Sequence, residues 1–298
     1  MEHFICDLGF SALKWMHRQR KGRIVSAMQH EGGRLLIGDE ALVLAGSSYL
    51  KTIEELVHYY PVFAERAAQE AEIATGSARL VVGLPYGVWH TEKDEPAGMV
   101  ATLRKLLSAS GWSDALILPQ GLGGVRLYLA ENPKPQGNIL GIDIGFNTVI
   151  FTLYAPERKT IIHGDTFYKR GVHQMATRHL LPAIRKFAPS RSFTPVEISC
   201  LIEEGFIQYG FDRHDIGREI SQAARDYVEV ILRDIRGELL AHAAGKSSFE
   251  TVLLFGGGAR LIREHLSAGN VNLVILDEPE FANAAGFAVI AARAQQPE

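Results

Sequence analysis

The chain has 298 residues, enough for one large domain or two moderate ones. Apolar residues make up 47% and charged residues 22%, which excludes a disordered or collagen-like chain. The 31 basic and 34 acidic side chains give a formal charge of −3, so the basic excess that supports non-specific binding to nucleic acid is missing. No apolar run reaches the roughly 18 residues that span a bilayer, and no signal-peptide pattern is present. We therefore expect a cytoplasmic protein that contacts neither nucleic acid nor membrane directly.

Apolar strand patterns and helical patterns alternate along the first half of the chain. The predicted strands cover residues 3–8, 23–29, 34–37, 79–84 and 115–118, and the predicted helices cover 52–74, 97–109 and 125–130. The run at 23–29 is the expected hairpin partner of the first strand. Pro61 is expected to end one helix and begin another, because proline cannot donate to the helical hydrogen-bond ladder.

The second half of the chain follows a linker at 132–138 that is rich in proline and glycine. The predicted strands here cover 139–144, 149–154, 159–162, 251–255 and 271–276, and the predicted helices cover 171–187, 214–244 and 281–294. Strands that alternate with helices in this way predict an α/β architecture.

A short sequence at the end of the first strand returns after the linker. Asp7-Leu8-Gly9-Phe10-Ser11 is similar to Asp143-Ile144-Gly145-Phe146-Asn147, and each copy follows an apolar strand. Such an internal repeat predicts two similar halves with a cleft between the copies.

Both copies carry residue types that suit an anion. Gly9 and Gly145 let backbone N–H groups approach an anion closely, and Ser11 and Thr148 add hydroxyl donors. Lys14 is near enough in sequence to the first turn to neutralise a phosphate.

The two aspartates of the repeat need a separate explanation. Asp7 and Asp143 would repel each other across a cleft unless a cation lay between them, and Mg²⁺ prefers a few carboxylates with retained waters. In the alternative interpretation, each aspartate only initiates a turn.

Five motifs in chain order resemble those of the actin-like ATPase superfamily, which includes actin, Hsp70 and sugar kinases. They are Asp7-x-Gly9-x-Ser11-x-x-Lys14, Pro119-Gln120-Gly121-Leu122-Gly123-Gly124, Asp143-x-Gly145-x-x-Thr148, Leu254-Phe255-Gly256-Gly257-Gly258-Ala259 and Phe281-Ala282-Asn283-Ala284-Ala285-Gly286-Phe287. In order, they look like the first phosphate motif, the first connecting segment, the second phosphate motif, the adenosine motif and the second connecting segment. The details are similar to the plasmid-partitioning type known as ParM.

The resemblance implies an α/β fold of two duplicated RNase H-like lobes with a nucleotide in the cleft between them. It places the first lobe at 1–138 and the second at 139–280, with a last helix at 281–298 that returns to the first lobe. It implies ATP and Mg²⁺ as cofactors.

The resemblance also implies roles for individual residues. The implied nucleotide-binding residues are Asp7, Gly9, Phe10, Ser11, Lys14, Gly145, Phe146, Asn147, Thr148, Gly171, Gly256, Gly257, Gly258 and Arg260. Asp7 and Asp143 would hold Mg²⁺ through water, and Asp143 and Gln120 are the implied catalytic residues. Gln120 would orient the attacking water, because a neutral amide is no strong base. Ile150 departs from the family pattern by placing an apolar side chain where members carry a polar one, which favours slow hydrolysis.

Three functions follow from the resemblance. The first is an ATP-hydrolysing protein that polymerises with itself into filaments, in plasmid or DNA segregation, through a DNA-bound adaptor protein. The second is a non-polymerising scaffold of the same fold that binds ATP and recruits a protein partner. The third is a small-molecule kinase.

A basic cluster follows the first strand. Arg18, Arg20, Lys21 and Arg23 are interpreted as a solvated hairpin tip, with a polymer contact as the alternative.

Overall fold

The computed structural model describes residues 2–44, 46–242, 248–266 and 271–294. The strands are β1 (His3–Leu8), β2 (Ala12–His17), β3 (Arg20–Val25), β4 (Ala27–Glu31), β5 (Arg34–Ile37), β6 (Ser48–Tyr49), β7 (Arg79–Leu84), β8 (Leu116–Pro119), β9 (Ile139–Ile144), β10 (Thr148–Ala155), β11 (Thr160–Tyr168), β12 (Phe206–Tyr209), β13 (Asp212–Asp215), β14 (Thr251–Phe255) and β15 (Asn272–Ile275). The α-helices are α1 (Asp39–Leu42), α2 (Ile53–Ala71), α3 (Tyr86–Glu92), α4 (Met99–Ala109), α5 (Leu122–Glu131), α6 (Val172–Met175), α7 (Leu181–Ile184), α8 (Pro195–Glu204), α9 (Gly217–His242), α10 (Ala259–Ile262) and α11 (Ala282–Arg293). A π-helical turn (Ala176–Leu180) joins α6 to α7, and 3-10 turns lie at Arg263–His265 and Pro279–Phe281.

Two five-stranded sheets share one topology. The first has the order β3-β2-β1-β7-β8, and the second has the order β11-β10-β9-β14-β15. In each sheet an antiparallel hairpin is followed by parallel pairing, of β1 with β7 and of β9 with β14. The predicted α/β fold with two similar halves is confirmed.

The hairpin partner predicted for β1 is wrong. The strand that pairs with β1 is β2, only three residues further along the chain, and the segment at 23–29 is split between β3 and β4. Buried Leu13 and Trp15 alternate with partly exposed Lys14 and Met16 in β2, as expected for a strand with one face on the core.

The predicted break at Pro61 is also wrong. Helix α2 continues through Pro61 from Ile53 to Ala71, and the Thr52 side chain accepts a hydrogen bond from the Glu55 N–H at its start. An internal proline costs a helix about 3 kcal/mol. The fully buried Tyr60 and Phe63 on either side of it indicate that packing against the first sheet outweighs this cost.

Helix α9 begins later than predicted, at Gly217, because residues 212–215 form β13. Residues 243–244 of the predicted helix lie outside the described residues. Among the helices that the structure describes, none is both long and apolar enough to cross a membrane.

Helices α5 and α11 each pack on the sheet of the other half of the chain. Helix α5 follows β8 of the first sheet, yet its Val125 and Tyr128 pack with Phe255 and other residues of the second sheet. Helix α11 follows β15 of the second sheet, yet its Phe287 packs with Val81 and other residues of the first sheet. The boundaries at 138 and 280 stay predictions, and residues 295–298 of the predicted last helix lie outside the described residues.

The two exchanged helices cross at closely packed glycines. A Cβ added at Gly286 of α11 would overlap the backbone carbonyl of Gly123 in α5. A Cβ added at the neighbouring Gly124 would lie 2.7 Å from the ring of Phe255. The crossing therefore has no room for a side chain.

We expect Gly286→Ala to lower the free energy of unfolding by about 2 kcal/mol or more, because the new methyl group must push α5 and α11 apart. The matched control is Gly237→Ala in α9, where an added Cβ meets nothing within 4 Å. That variant should be more stable by about 1 kcal/mol because alanine favours helix. Urea unfolding checks both, and equal effects of the two substitutions would contradict the close crossing.

Candidate functional site

A cavity of about 350 Å³ lies between the two lobes. The predicted site residues that line it are Asp7, Gly9, Phe10, Ser11, Lys14, Gln120, Asp143, Gly145, Phe146, Thr148, Gly256, Gly257 and Gly258. Four chain segments that are far apart in sequence therefore meet at one cavity.

The two Asp-x-Gly turns have the same backbone geometry. The Gly9 N–H donates to the Ala12 carbonyl at 3.0 Å, and the Gly145 N–H donates to the Thr148 carbonyl at 2.9 Å. Strand register pairs Asp7 with Lys14 in the first lobe, and Asp143 with Ile150 in the second. Lys14 and the buried Ile150 therefore occupy equivalent positions.

Asp7 is buried at the end of β1, and a glutamine from the first connecting segment holds it. The Gln120 side-chain amide donates to Asp7 Oδ1 at 2.6 Å and to the Leu8 carbonyl at 3.2 Å. Burial raises the pKa of Asp7, while the charge of Lys14 and the hydrogen bond from Gln120 oppose the rise. The strand end is fixed by Tyr60, whose hydroxyl donates to the Cys6 carbonyl at 2.7 Å.

Asp143 is buried at the end of β9, and an asparagine from the second connecting segment holds it. The Asn283 side-chain amide donates to Asp143 Oδ2 at 2.7 Å, and its carbonyl accepts from the Gly121 N–H at 3.0 Å. Burial, and then the charge of Asp7, raises the pKa of Asp143 to about 6, with Asn283 and Lys14 opposing.

The two carboxylates fit a divalent cation. Each has one oxygen in a hydrogen bond to an amide, and the other oxygen of each bonds to no residue that the structure describes. Both carboxylates are buried, and the charge of Asp7 raises the pKa of Asp143, so a cation between them would stabilise their ionised forms. Asp7 and Asp143 are therefore a suitable pair of oxygen donors for Mg²⁺, which takes few protein ligands.

The glycine run after β14 forms another wall of the cavity. Gly256 has a φ of +85°, and a Cβ there would overlap Asp143 Oδ1 and the Ile144 carbonyl. A Cβ at Gly257 would meet nothing within 4 Å, so the backbone is exposed to the cavity at this residue. A flat ligand can lie directly on it.

Three predicted site residues do not line the cavity. Asn147 donates to the Lys51 carbonyl at 3.4 Å, and Arg260 is exposed on α10. Gly171 packs under the second turn, where a Cβ would overlap the carbonyls of Gly145 and Phe146. Their ligand contacts stay predictions.

The cavity is also lined by polar residues that the sequence analysis did not place at the nucleotide site. They include Asn283 from α11, Glu280 just before it, Arg23 and Tyr49 from the first lobe, and Ser199, Cys200 and Glu203 from α8. The asparagine lies in a motif, so the motif could have indicated it. Helix α8 carries no motif, and only its place in the fold brings it to the cavity.

Part of the chain matches a known protein family. Residues 141–268 match a family model described as archaeal actin homologue MreB-like, C-terminal. No curated protein sequence matches the chain.

Solved structures match nearly the whole chain. A ParM filament structure from Clostridium botulinum has a TM-score of 0.77 at 16% identity, covering 98% of this chain and 100% of that chain. An archaeal actin homologue has a TM-score of 0.76 at 16% identity, with the same coverage. MreB5 of Spiroplasma citri bound to AMPPNP has a TM-score of 0.74 at 12% identity, covering 98% of this chain and 96% of that chain.

The chain has the actin-like ATPase fold. The fold that the resemblance implied is confirmed, and the family-model match over residues 141–268 agrees with it.

We expect Asp143→Asn to stabilise the metal-free protein at pH 7.5 by about 1–3 kcal/mol. The folded-state pKa of Asp143 is raised to about 6, so the folded state binds the proton more tightly than the unfolded state does. The ionisation of Asp143 therefore lowers the stability of the wild-type protein as the pH rises from about 4 through 6, and the amide variant lacks this contribution.

The measurement is urea unfolding in chelator at pH 7.5 and pH 5, where the gain should shrink. Asp94→Asn, at an exposed position away from the cavity, is the control. A gain of equal size at both pH values would contradict the explanation from ionisation.

Proposed function

We propose that this protein binds ATP with Mg²⁺ in the interlobe cleft, hydrolyses it, and assembles into filaments. The observation that carries the proposal is the meeting of both Asp-x-Gly turns and the glycine run at one cavity. One structure of the archaeal actin homologue is a complex with ADP, and MreB5 of Spiroplasma citri was solved with AMPPNP. Both have the same fold as this chain.

Different residues along the cavity would bind different parts of the nucleotide. The Gly9 and Gly145 turns and the Lys14 ammonium would contact the phosphates from the two lobes. Asp7 and Asp143 would hold Mg²⁺ through water, and the bound ion would offset the negative charge of the phosphates. Gly256, Gly257 and Gly258 would lie under the nucleoside.

Hydrolysis requires an oriented water, and Gln120 is the residue proposed to orient it. Its amide already donates to Asp7 and to the Leu8 carbonyl, so the side chain is held in place before the ligand arrives. A fixed amide lowers the entropy cost of positioning a reactant.

The proposal of filament formation is supported by a protein of the same fold. The ParM structure from Clostridium botulinum is a filament of that protein. A ligand that contacts both lobes favours a closed cleft, and loss of the terminal phosphate removes part of that preference. Head-to-tail contacts that do not close into a ring give filaments. We further propose a role in plasmid or DNA segregation through a DNA-bound adaptor protein.

One observation favours a second candidate, a scaffold that binds ATP and turns it over slowly. Ile150 is buried beside Gly121, where a Cβ added to that glycine would lie 2.8 Å from Ile150 Cγ2. An apolar side chain next to the connecting segment offers no hydrogen bond to a water held by Gln120.

We expect the purified protein to sediment at high speed with Mg-ATP and to stay in the supernatant with Mg-ADP or without nucleotide. Negative-stain microscopy of the pellet checks that filaments are present. Asp143→Ala should abolish both Mg-ATP binding and sedimentation, because one of the two carboxylates is lost.

The outcomes separate the candidate functions. ATP binding without sedimentation at any protein concentration favours the scaffold. Unchanged ATP affinity in Asp143→Ala would contradict the cleft assignment itself.

We expect Gln120→Ala to slow phosphate release by about 10- to 100-fold while ATP affinity changes much less, because the amide is proposed to orient the water and would affect the nucleotide only indirectly, through its hydrogen bond to Asp7. The control is Gln174→Ala, a glutamine at α6 that does not line the cavity. Single-turnover measurement of phosphate release distinguishes the two variants, and a wild-type rate for Gln120→Ala would remove this residue from the mechanism.

A further inference from the structure

Arg23 belongs to the basic cluster that follows β1, and its surroundings differ from those of the other three members. Arg18 pairs with Glu2 at 2.6 Å, Arg20 pairs with Glu72 at 3.4 Å, and Lys21 pairs with Glu278. Arg23 forms no salt bridge with any carboxylate that the structure describes, and it lines the interlobe cavity. Arg23 is exposed like the other three, as expected for a solvated hairpin, and it differs from them in also lining the cavity.

Strand register explains why this arginine faces the cavity. Arg23 lies directly opposite Lys14 in the antiparallel pair of β2 and β3, so both side chains project from the same face of the sheet. On the other face, Leu13, Trp15 and Ile24 pack into the core of the first lobe. The face that carries Lys14 and Arg23 is the one that meets the cleft.

Two like charges in directly opposite positions destabilise a strand pair. The duplicated fold shows that a strand pair of this kind forms without two positive charges. In the second lobe the equivalent pair is Ile150 opposite Thr166, which carries no charge. A paired cation at this position is therefore specific to the first lobe, and an anion lying between the two side chains would turn the repulsion into attraction.

The surroundings of Arg23 place it towards the mouth of the cavity. Arg23 and Tyr49 line the same cavity, and the positive charge of Arg23 opposes the rise that burial causes in the pKa of Tyr49. Cys200 and Glu203 of α8 act on the same phenol from the second lobe. The carboxylates that line the same cavity as Arg23, besides Asp7 and Asp143, are those of Glu203 and Glu280.

We propose that Arg23 is a second phosphate-binding cation of the cleft, which together with Lys14 holds the polyphosphate chain of the nucleotide. The inference rests on the proposed binding of ATP. Lys14 lies at the inner end, where a Cβ added at Gly9 would be 3.2 Å from its Nζ, and Arg23 lies further out on the next strand. An arginine suits this position because its planar guanidinium can donate two parallel hydrogen bonds to phosphate oxygens.

The test compares binding of adenosine, AMP, ADP and ATP, each with Mg²⁺, by isothermal titration calorimetry. We expect Arg23→Gln to weaken ATP and ADP binding about tenfold, since one charged hydrogen bond is lost, and to leave adenosine binding unchanged. Arg23→Lys should recover part of the loss. Arg34→Gln, which removes an exposed arginine of β5 away from the cavity, should bind all four ligands like the wild-type protein.

Lys14→Gln separates failure of this inference from failure of the proposed function. If Lys14→Gln weakens ATP binding and Arg23→Gln does not, the second cation is overturned and the nucleotide site stands. If Arg23→Gln weakens adenosine as much as ATP, Arg23 acts through Tyr49 and Glu203 and not on phosphate, which also overturns the inference. If the wild-type protein binds none of the four ligands, the proposed function fails, and the inference fails with it.

Discussion

The structure depends on keeping two carboxylates, Asp7 and Asp143, buried at one cavity. Each ends a central strand of its sheet, and each accepts a hydrogen bond from an amide in a connecting segment. Without a cation, burial and mutual repulsion favour protonation of Asp143. The same arrangement can be satisfied by a divalent ion with an anionic ligand beside it. A bound cation of this kind would remove an electrostatic cost that is already present in the fold.

The duplication supplies an internal comparison. Both halves share the turn geometry and the strand order, yet the residue opposite the aspartate is Lys14 in one half and Ile150 in the other. The same backbone arrangement therefore forms with either a charged or an apolar side chain at this position. The two cationic side chains that line the cavity, Lys14 and Arg23, belong to the first lobe, whereas the glycine run that can accept a flat base belongs to the second. A ligand with a phosphate end and an aromatic end matches this division.

Local signals predicted part of this arrangement. An apolar run followed by Asp-x-Gly is a local pattern that spans fewer than ten residues. Both turns and the strands before them were therefore predicted correctly. Tertiary packing decided the rest. Pro61 stays within α2 because its neighbours are buried. Arg23 faces the cleft because β3 pairs with β2, and not with β1, which places Arg23 opposite Lys14. Tyr49 and Glu203 reach the cavity from elements that carry no motif, so only the folded chain brings them there.

The exchange of α5 and α11 between the sheets has a consequence for the origin of the fold. Each half sends its last helix to cover the sheet of the other half, which is the arrangement of a domain-swapped dimer of two half-length chains. The segment at 132–138 then only tethers two partners that are already interlocked. Each half keeps the larger core on one face of its sheet, but the core on the other face is incomplete when the halves are separated.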